Sequence, residues 1–258
     1  MKKEMFITVG TSLYFSASWE NEGPAAAIEG YAEWLKGDKK TRPEERRKSR
    51  KGMIEEELRA SLTAQPENVE KWTAILPEKL LSGEHDPTEN LRFSAELSSL
   101  FMLADSEKVN VRDLLSSYEA VHVVVDPTDW THGSSYVVGM HLKGYLQVIA
   151  GSDDSQKIAL FEVPELASKD PGRLLAPDGG LRCFLRKVKE RVESSHAGQL
   201  DFLASGGYKV YMVMLSQLIA NRQDARLLYL HEEAAELLEV TGGHIRIGTS
   251  QYNFQPDL

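Results

Sequence analysis

The sequence predicts an α/β fold with a mostly parallel sheet, flanking helices on both faces, a helical insertion and a C-terminal β-hairpin. Five short apolar runs do not alternate with polar residues, which is typical of parallel strands covered on both faces. Helical patterns separate most of these runs, and that alternation indicates βαβ units in a doubly wound sheet. The 258 residues suit one large domain. We therefore expect a single domain over 1–258, with the insertion at about 37–110.

The predicted strands are rich in Val, Ile, Leu and Phe, as buried strands usually are. They cover residues 5–9, 121–125, 158–163, 200–204 and 226–230. The helical patterns cover residues 24–36, 134–148, 180–195 and 208–221. The tail "AELLEVTGGHIRIG" predicts a terminal hairpin that turns at Gly242 and Gly243.

The insertion is too long for one crossover between the first two strands, and its periodicity is helical. Its start, "KGDKKTRPEERRKSRK", carries eight basic residues between 39 and 51. These residues form either a solvated helix face or a basic lid over an anionic ligand. Its last part, "ENLRFSAELSSLFML", is apolar enough for us to expect that it packs on the main domain.

Composition narrows the class of protein. No apolar run reaches the roughly 18 residues that span a bilayer, and no signal-type apolar core follows the N-terminal lysines. Cys183 is the only cysteine, which excludes a disulfide framework and a cysteine-based zinc site. We expect a cytoplasmic protein that binds no membrane. The net charge of −9 argues against long nucleic acid but not against a small anion in a local pocket.

Three loops that follow predicted strands carry the polar residues of a candidate site. The first strand runs into Gly10, Thr11 and Ser12, the second into "DPTDWTHGSS" (126–135), and the fourth into "SGGYK" (205–209). Ligands of open α/β sheets bind beyond the carboxyl ends of the strands. If these strands lie near the middle of the sheet, the loops share one edge and offer hydroxyls, backbone N–H groups and a lysine. That set of groups suits phosphate oxygens.

Each piece of this site also has a purely structural interpretation. Gly206 and Gly207 also suit a tight turn between strand and helix, and Ser12 also suits a helix cap or a turn. Lys209 is more informative, because it opens a strongly apolar helix, where a solvated lysine is not expected. His132 either acts on a ligand, by stacking or in catalysis, or is an ordinary loop histidine.

Other chemistries lack their motifs. No G-x-G-x-x-G follows the first strand, and no G-x-x-x-x-G-K-[ST], G-x-S-x-G or H-E-x-x-H occurs. The pair Asp153 and Asp154 follows a helix and specifies no metal site. We therefore expect no metal and no cofactor.

The motifs resemble those of a known family. "ITVGTSL" after the first strand resembles the opening of CARF-domain proteins, which are Rossmann-like, CRISPR-associated sensors of cyclic oligoadenylates. "ASGGYK" resembles their "TGGFK" motif, with Ser205 in place of threonine and Tyr208 in place of phenylalanine. Weaker similarities to the insertion helix, to the second strand with its loop, and to the last strand with its hairpin follow in the family's order.

The resemblance implies a function. CARF-only proteins of this size are similar to ring nucleases, which bind cyclic tetra-adenylate and cut it, so ending CRISPR type III antiviral signalling. It implies that Ser12 and Lys209 act in cleavage. The loop "DPTDWTHG" is bulkier than the family's usual loop, and its His132 is a candidate for chemistry that the simpler members lack. The symmetry of the ring predicts a homodimer. We also expect no C-terminal effector domain after the hairpin. The residues expected to bind the ring are Gly10, Thr11, Leu13, Thr128, Trp130, Thr131, Ser205, Gly206, Gly207 and Tyr208.

Two alternatives stay open at this point. The same residues suit a sensor that binds a cyclic oligoadenylate without cutting it and regulates a separate partner. An ordinary nucleotide-binding enzyme unrelated to CRISPR is the third class. The ring nuclease and the sensor would bind the ring in the same pocket, so the sequence does not distinguish between them.

Overall fold

The computed structural model describes the sheet and most of the helices that cover it. The described residues are 2–9, 95–127, 134–166, 171–194, 198–204, 210–220, 222–231, 236–242, 244–247 and 250–253. The predicted helix at 24–36 and residues 37–94 of the predicted insertion lie outside these ranges.

Strands and helices alternate along most of the described chain. The strands are β1 (Lys3–Thr8), β2 (Ala120–Val125), β3 (Ile158–Glu162), β4 (Gln199–Leu203), β5 (Ala225–His231), β6 (Glu236–Thr241), β7 (His244–Ile247) and β8 (Ser250–Asn253). The helices are α1 (Ala95–Ser106), α2 (Val111–Ser116), α3 (Ser134–Ala150), α4 (Pro171–Leu175), α5 (Gly180–Ser194) and α6 (Val210–Ile219). None of these helices is long and apolar enough to cross a membrane.

The strands form one sheet of eight within the described residues, in the order β3-β2-β1-β4-β5-β6-β7-β8. The first five strands in that order are parallel to one another, and the last three join by antiparallel pairing. This confirms the predicted fold class, the five predicted strands and the hairpin, in which Thr241 pairs with His244. The sequence did not predict β8, because "SQYN" lacks the branched and apolar residues that mark a strand.

Two apolar cores cover the two faces of the sheet. Successive residues of a strand point to opposite faces, so Met5 and Ile7 join one core while Phe6 joins the other. The first core contains α1, α2 and α3, and the second contains α5 and α6. Burial on both faces explains why the strands read as continuous apolar runs.

Helix α1 is the described end of the predicted insertion. Residues 95–101 are all buried, and the helix packs on β4, β5 and β6. This confirms, for residues 95–103, the expectation that the apolar end of the insertion packs on the main domain. Glu107, directly after the helix, contacts Arg226 near the start of β5, so α1 ends at the amino half of the sheet.

A buried ion pair joins neighbouring strands at that amino half. Asp201 on β4 is fully buried and accepts two hydrogen bonds from Arg226 on β5, at 2.6 and 2.8 Å. The same guanidinium donates to Glu107 at 2.5 Å, and the Tyr118 hydroxyl donates to Asp201. Burial, together with the Asp201 carboxylate, holds the pKa of Tyr118 far above its ordinary value, so the hydroxyl stays a neutral donor.

We expect Asp201→Ala to lower the free energy of unfolding by about 3–5 kcal/mol, because it leaves the largely buried guanidinium of Arg226 without its main partner. Urea unfolding measures this loss. Asp224→Ala is the matched control, since Asp224 pairs with Arg222 in a half-exposed position and should cost about 1 kcal/mol or less. Equal losses in the two variants would contradict the role given to Asp201.

A second buried carboxylate lies on the other face of the sheet. Glu4 on β1 accepts from His122 on β2 at 3.0 Å and from Arg191 on α5 at 3.0 and 3.1 Å. Phe6 stacks on the His122 ring at 4.6 Å between centroids. Because an ionised carboxylate only accepts hydrogen bonds, we assign the proton of His122 to Nε2. His122 therefore has a structural role.

The stability of the fold should fall in acid through His122. Burial lowers the pKa of His122 below its ordinary value, despite the opposing effect of Glu4. The unfolded chain then binds the proton more readily, so stability is lost as the pH falls below about 6.5.

Thermal unfolding between pH 8 and pH 5 tests this. His122→Gln keeps a donor for Glu4 but does not titrate, so its midpoint should fall less in acid than that of the native protein. His244→Gln, at an exposed histidine on β7, is the control for the loss of a histidine outside this cluster. Parallel pH curves for the native protein and His122→Gln would refute the assignment.

Candidate functional site

The strands that precede the three candidate loops lie side by side. β1 is paired with β2 on one side and with β4 on the other, all in parallel. In register, Thr8 pairs with Val124 and Ile7 with Leu203, so the three carboxyl ends share one edge. This confirms the strand arrangement on which the predicted site depends.

The boundary between β1 and β4 is the topological switch point of the sheet. The chain adds β2 and β3 on one side of β1 and then returns to add β4 and β5 on the other. Loops that leave the two strands at such a point diverge to opposite faces and open a crevice, where α/β proteins bind their ligands.

The candidate residues themselves lie outside the described residues and stay predictions. The structure describes the backbone to which they are attached, which ends at Val9, Pro127 and Ala204 and resumes at Ser134 and Val210. The thirteen residues concerned are Gly10, Thr11, Ser12, Leu13, Thr128, Trp130, Thr131, His132, Ser205, Gly206, Gly207, Tyr208 and Lys209.

Long helices follow two of these loops. Helix α3 starts at Ser134, after the β2 loop, and α6 starts at Val210, directly after Lys209 in sequence. A helix N-terminus carries partial positive charge and unpaired N–H groups, which favours an anion beside it. Within the described residues, no group of three or more His, Cys, Asp or Glu side chains is arranged to hold a metal ion.

Buried polar contacts hold the strand ends in place. The Thr8 hydroxyl at the end of β1 donates to the carbonyl of Leu203 at the end of β4, at 3.4 Å. The Ala204 amide donates to the carbonyl of Leu228 on β5 at 2.9 Å. The ends of β1 and β4 are therefore tied to each other and to β5 where the two loops begin.

Asp126 is a buried acid at this edge that sequence reasoning did not single out. It follows β2 directly, only 1% of its surface is exposed, and its Oδ1 accepts the Glu165 N–H at 3.0 Å. The signal was present in the sequence as an acid between the apolar run 123–125 and Pro127.

Helix α3 lies unusually close to the end of β2. A Cβ added at Gly139 would come within 2.0 Å of Cγ1 of Val125, the last residue of the strand. The glycine thus allows the helix that follows the β2 loop to pack tightly against the strand that precedes it.

Gly139→Ala should destabilise the fold by about 1–3 kcal/mol, because the added methyl overpacks a stiff, buried valine. Val125→Ala removes the colliding methyl groups, so the double variant should lose less stability than the sum of the two single losses, by about 0.5–3 kcal/mol. Urea unfolding of all four proteins measures this coupling.

Val123→Ala is the matched control for that cycle. Val123 is buried on the same strand face, but its Cγ1 would lie 3.6 Å from the added Cβ, at ordinary contact distance. Val123→Ala should therefore not reduce the loss of stability that Gly139→Ala causes. Equal relief by both valine variants would show that general loosening, rather than the close approach at Val125, explains the effect.

Comparison with known proteins identifies a protein family. The family model described as CRISPR-associated protein (Cas_APE2256) matches residues 91–240, which is more than half of the chain. The match runs from the end of the predicted insertion to β6 and spans the loops after β2 and β4. None of the curated proteins matches the chain.

Proposed function

Because the chain belongs to this family of CRISPR-associated proteins, we propose that it is a CARF-type ring nuclease for cyclic tetra-adenylate. It cuts the ring, without a metal, into linear products that end in 2′,3′-cyclic phosphate, and so switches off type III signalling. The observation that supports this best is the adjacency of β1 and β4 at the switch point. These are the two strands whose loops carry "GTSL" and "SGGYK".

The reaction uses the substrate's own nucleophile. The ribose 2′-oxygen attacks the adjacent phosphorus, the bond from phosphorus to the 5′-oxygen breaks, and the 2′-proton is lost while the 5′-oxygen gains one. The protein must hold these atoms in line and stabilise the growing negative charge. No metal is required by this chemistry, because RNA supplies the attacking hydroxyl.

The candidate residues divide this work. Lys209 stabilises the charge that develops on the phosphorane, and the backbone of Gly206 and Gly207 orients the phosphate. Ser12 positions the 2′-hydroxyl or a phosphate oxygen. His132 is the candidate general base; without one, turnover is slow, since general acid–base catalysis contributes about 10²–10⁴-fold.

A homodimer completes the proposal. A symmetric ring suits two equal half-sites about a two-fold axis, and the apolar helix over 210–220 is the candidate interface element. Leu215 and Ile219 are buried in the protein's own core. An interface on α6 would therefore use the positions of this helix that face away from the core, such as the exposed Gln217.

Lys209→Ala should lower the rate of cyclic tetra-adenylate cleavage by about 10²-fold or more, the usual cost of losing one transition-state contact. Ser12→Ala should slow cleavage with less effect on binding. Chromatography of the products in EDTA measures both rates. Lys189→Ala, on the exposed face of α5 in an i,i+4 ion pair, is the matched lysine control and should cut at the native rate.

Two further results decide between cleavage and sensing. A ring with 2′-deoxyribose at the scissile positions should bind and resist cleavage. If Lys209→Ala cuts the natural ring at the native rate, the catalytic assignment is wrong. If the native protein binds the ring and never cuts it, a non-catalytic sensor that regulates a separate partner replaces the enzyme.

A further inference from the structure

The turn after β3 is backbone-strained and lies at the same edge as the candidate site. Glu165 has a φ of 59°, a left-handed conformation that costs free energy for a residue with a side chain. Such a conformation persists only where its surroundings hold it. Two contacts from other elements do so, one from Asp126 and one from Gly180.

The side chain of Asp126 holds this turn by binding the backbone amide of Glu165. Its carboxylate accepts the Glu165 N–H at 3.0 Å, while the Val163 N–H donates to the Val125 carbonyl at 2.8 Å. The start of α5 closes the other side, because a Cβ at Gly180 would lie 2.2 Å from the Glu165 carbonyl oxygen. The turn is thus fixed between the end of β2 and the first residue of α5.

The same carboxylate fixes how the chain leaves β2. Pro127 restricts the backbone of Asp126 to extended conformations, and the bond to Glu165 anchors its side chain inside the protein. The direction in which the chain enters the 128–133 loop is therefore determined by the rigid dipeptide Asp126-Pro127 rather than by the loop itself.

Asp126 differs from the other buried acids of the sheet. Glu4 and Asp201 each pair with an arginine in the amino half, where they join strands and helices. Asp126 lies at the carboxyl edge, and its bond to Glu165 reaches across to the neighbouring loop.

We infer that Asp126 is a positioning residue for the ring-binding site: its carboxylate locks the exits of β2 and β3 together and so sets the start of the 128–133 loop. This rests on the proposed function for the identity of the ligand, but not for the lock itself. The lock stabilises one arrangement of the edge before any ligand arrives, which lowers the ordering cost of binding.

Hydrogen exchange of the ligand-free protein tests the lock. In Asp126→Ala, the Glu165 amide and the peptides over 126–134 and 163–170 should exchange about tenfold faster, because a half-buried N–H loses its Asp126 acceptor. Peptides over 118–123 should be unchanged. Asp126→Asn keeps an acceptor oxygen and should restore most of the protection. Unchanged exchange at Glu165 in Asp126→Ala would overturn the inference.

Two further variants, Asp154→Ala and Gly180→Ala, serve as the control and as the alternative to Asp126→Ala. Asp154→Ala removes an acid of the opposite edge, which holds Ser116 and Lys157, and should leave the exchange at 126–134 as in the native protein. If Asp126→Ala fails to fold, Gly180→Ala pushes the turn from its other side without touching the acid. It should also speed exchange at 126–134. Native exchange there in Gly180→Ala would count against a lock shared by the two loops.

Binding of cyclic tetra-adenylate, measured by calorimetry, tests positioning. The dissociation constant should rise about tenfold in Asp126→Ala and less than about threefold in Asp126→Asn and Asp154→Ala. Native affinity in Asp126→Ala, with faster exchange, would reduce the acid to a purely structural role and so overturn its positioning role. If the native protein does not bind the ring, the proposed function fails, while the exchange measurements still decide whether the lock exists.

Discussion

The ion pair between Asp201 and Arg226 is the interaction on which the arrangement of this fold depends most. It joins β4 to β5 inside the first core, and through Glu107 and Tyr118 it also holds the end of α1 and the turn that leads into β2. Glu239 on β6 lies 3.8 Å from the same guanidinium, so the hairpin is included as well. Removing charged groups from water costs free energy, which is recovered only when each group has its partners. The pair therefore favours one packing of these elements over alternatives.

The two ends of the sheet have different physical characters. On each face of the amino half, a buried carboxylate pairs with an arginine, Glu4 with Arg191 and Asp201 with Arg226. At the carboxyl edge, the described contacts include a threonine hydroxyl, backbone amides and the buried acid Asp126. A rigid sheet that carries the ligand-binding residues on loops at one edge is the usual way in which an α/β scaffold supports a ligand site.

The proposed chemistry follows from this arrangement and from the family. A ring nuclease needs little catalytic apparatus, because its substrate carries its own nucleophile. What it needs is a crevice with donors on both sides, and the switch point between β1 and β4 provides the position for one. Sequence placed the candidate residues after those strands, and the family match covers the β4 loop but begins after the β1 loop.

The sequence by itself determined the elements. Apolar runs without alternation identified β1 to β5, and the paired glycines identified the β6–β7 hairpin, because these signals depend on residues close together along the chain. The strand order, the short polar β8 and the left-handed turn at Glu165 came only from the tertiary structure. So did the choice of partners: Arg191 binds Glu4, which is 187 residues away, and Asp126 binds the Glu165 amide, which is 39 residues away. Such contacts depend on which elements meet when two cores close around one sheet, and local sequence does not encode that meeting.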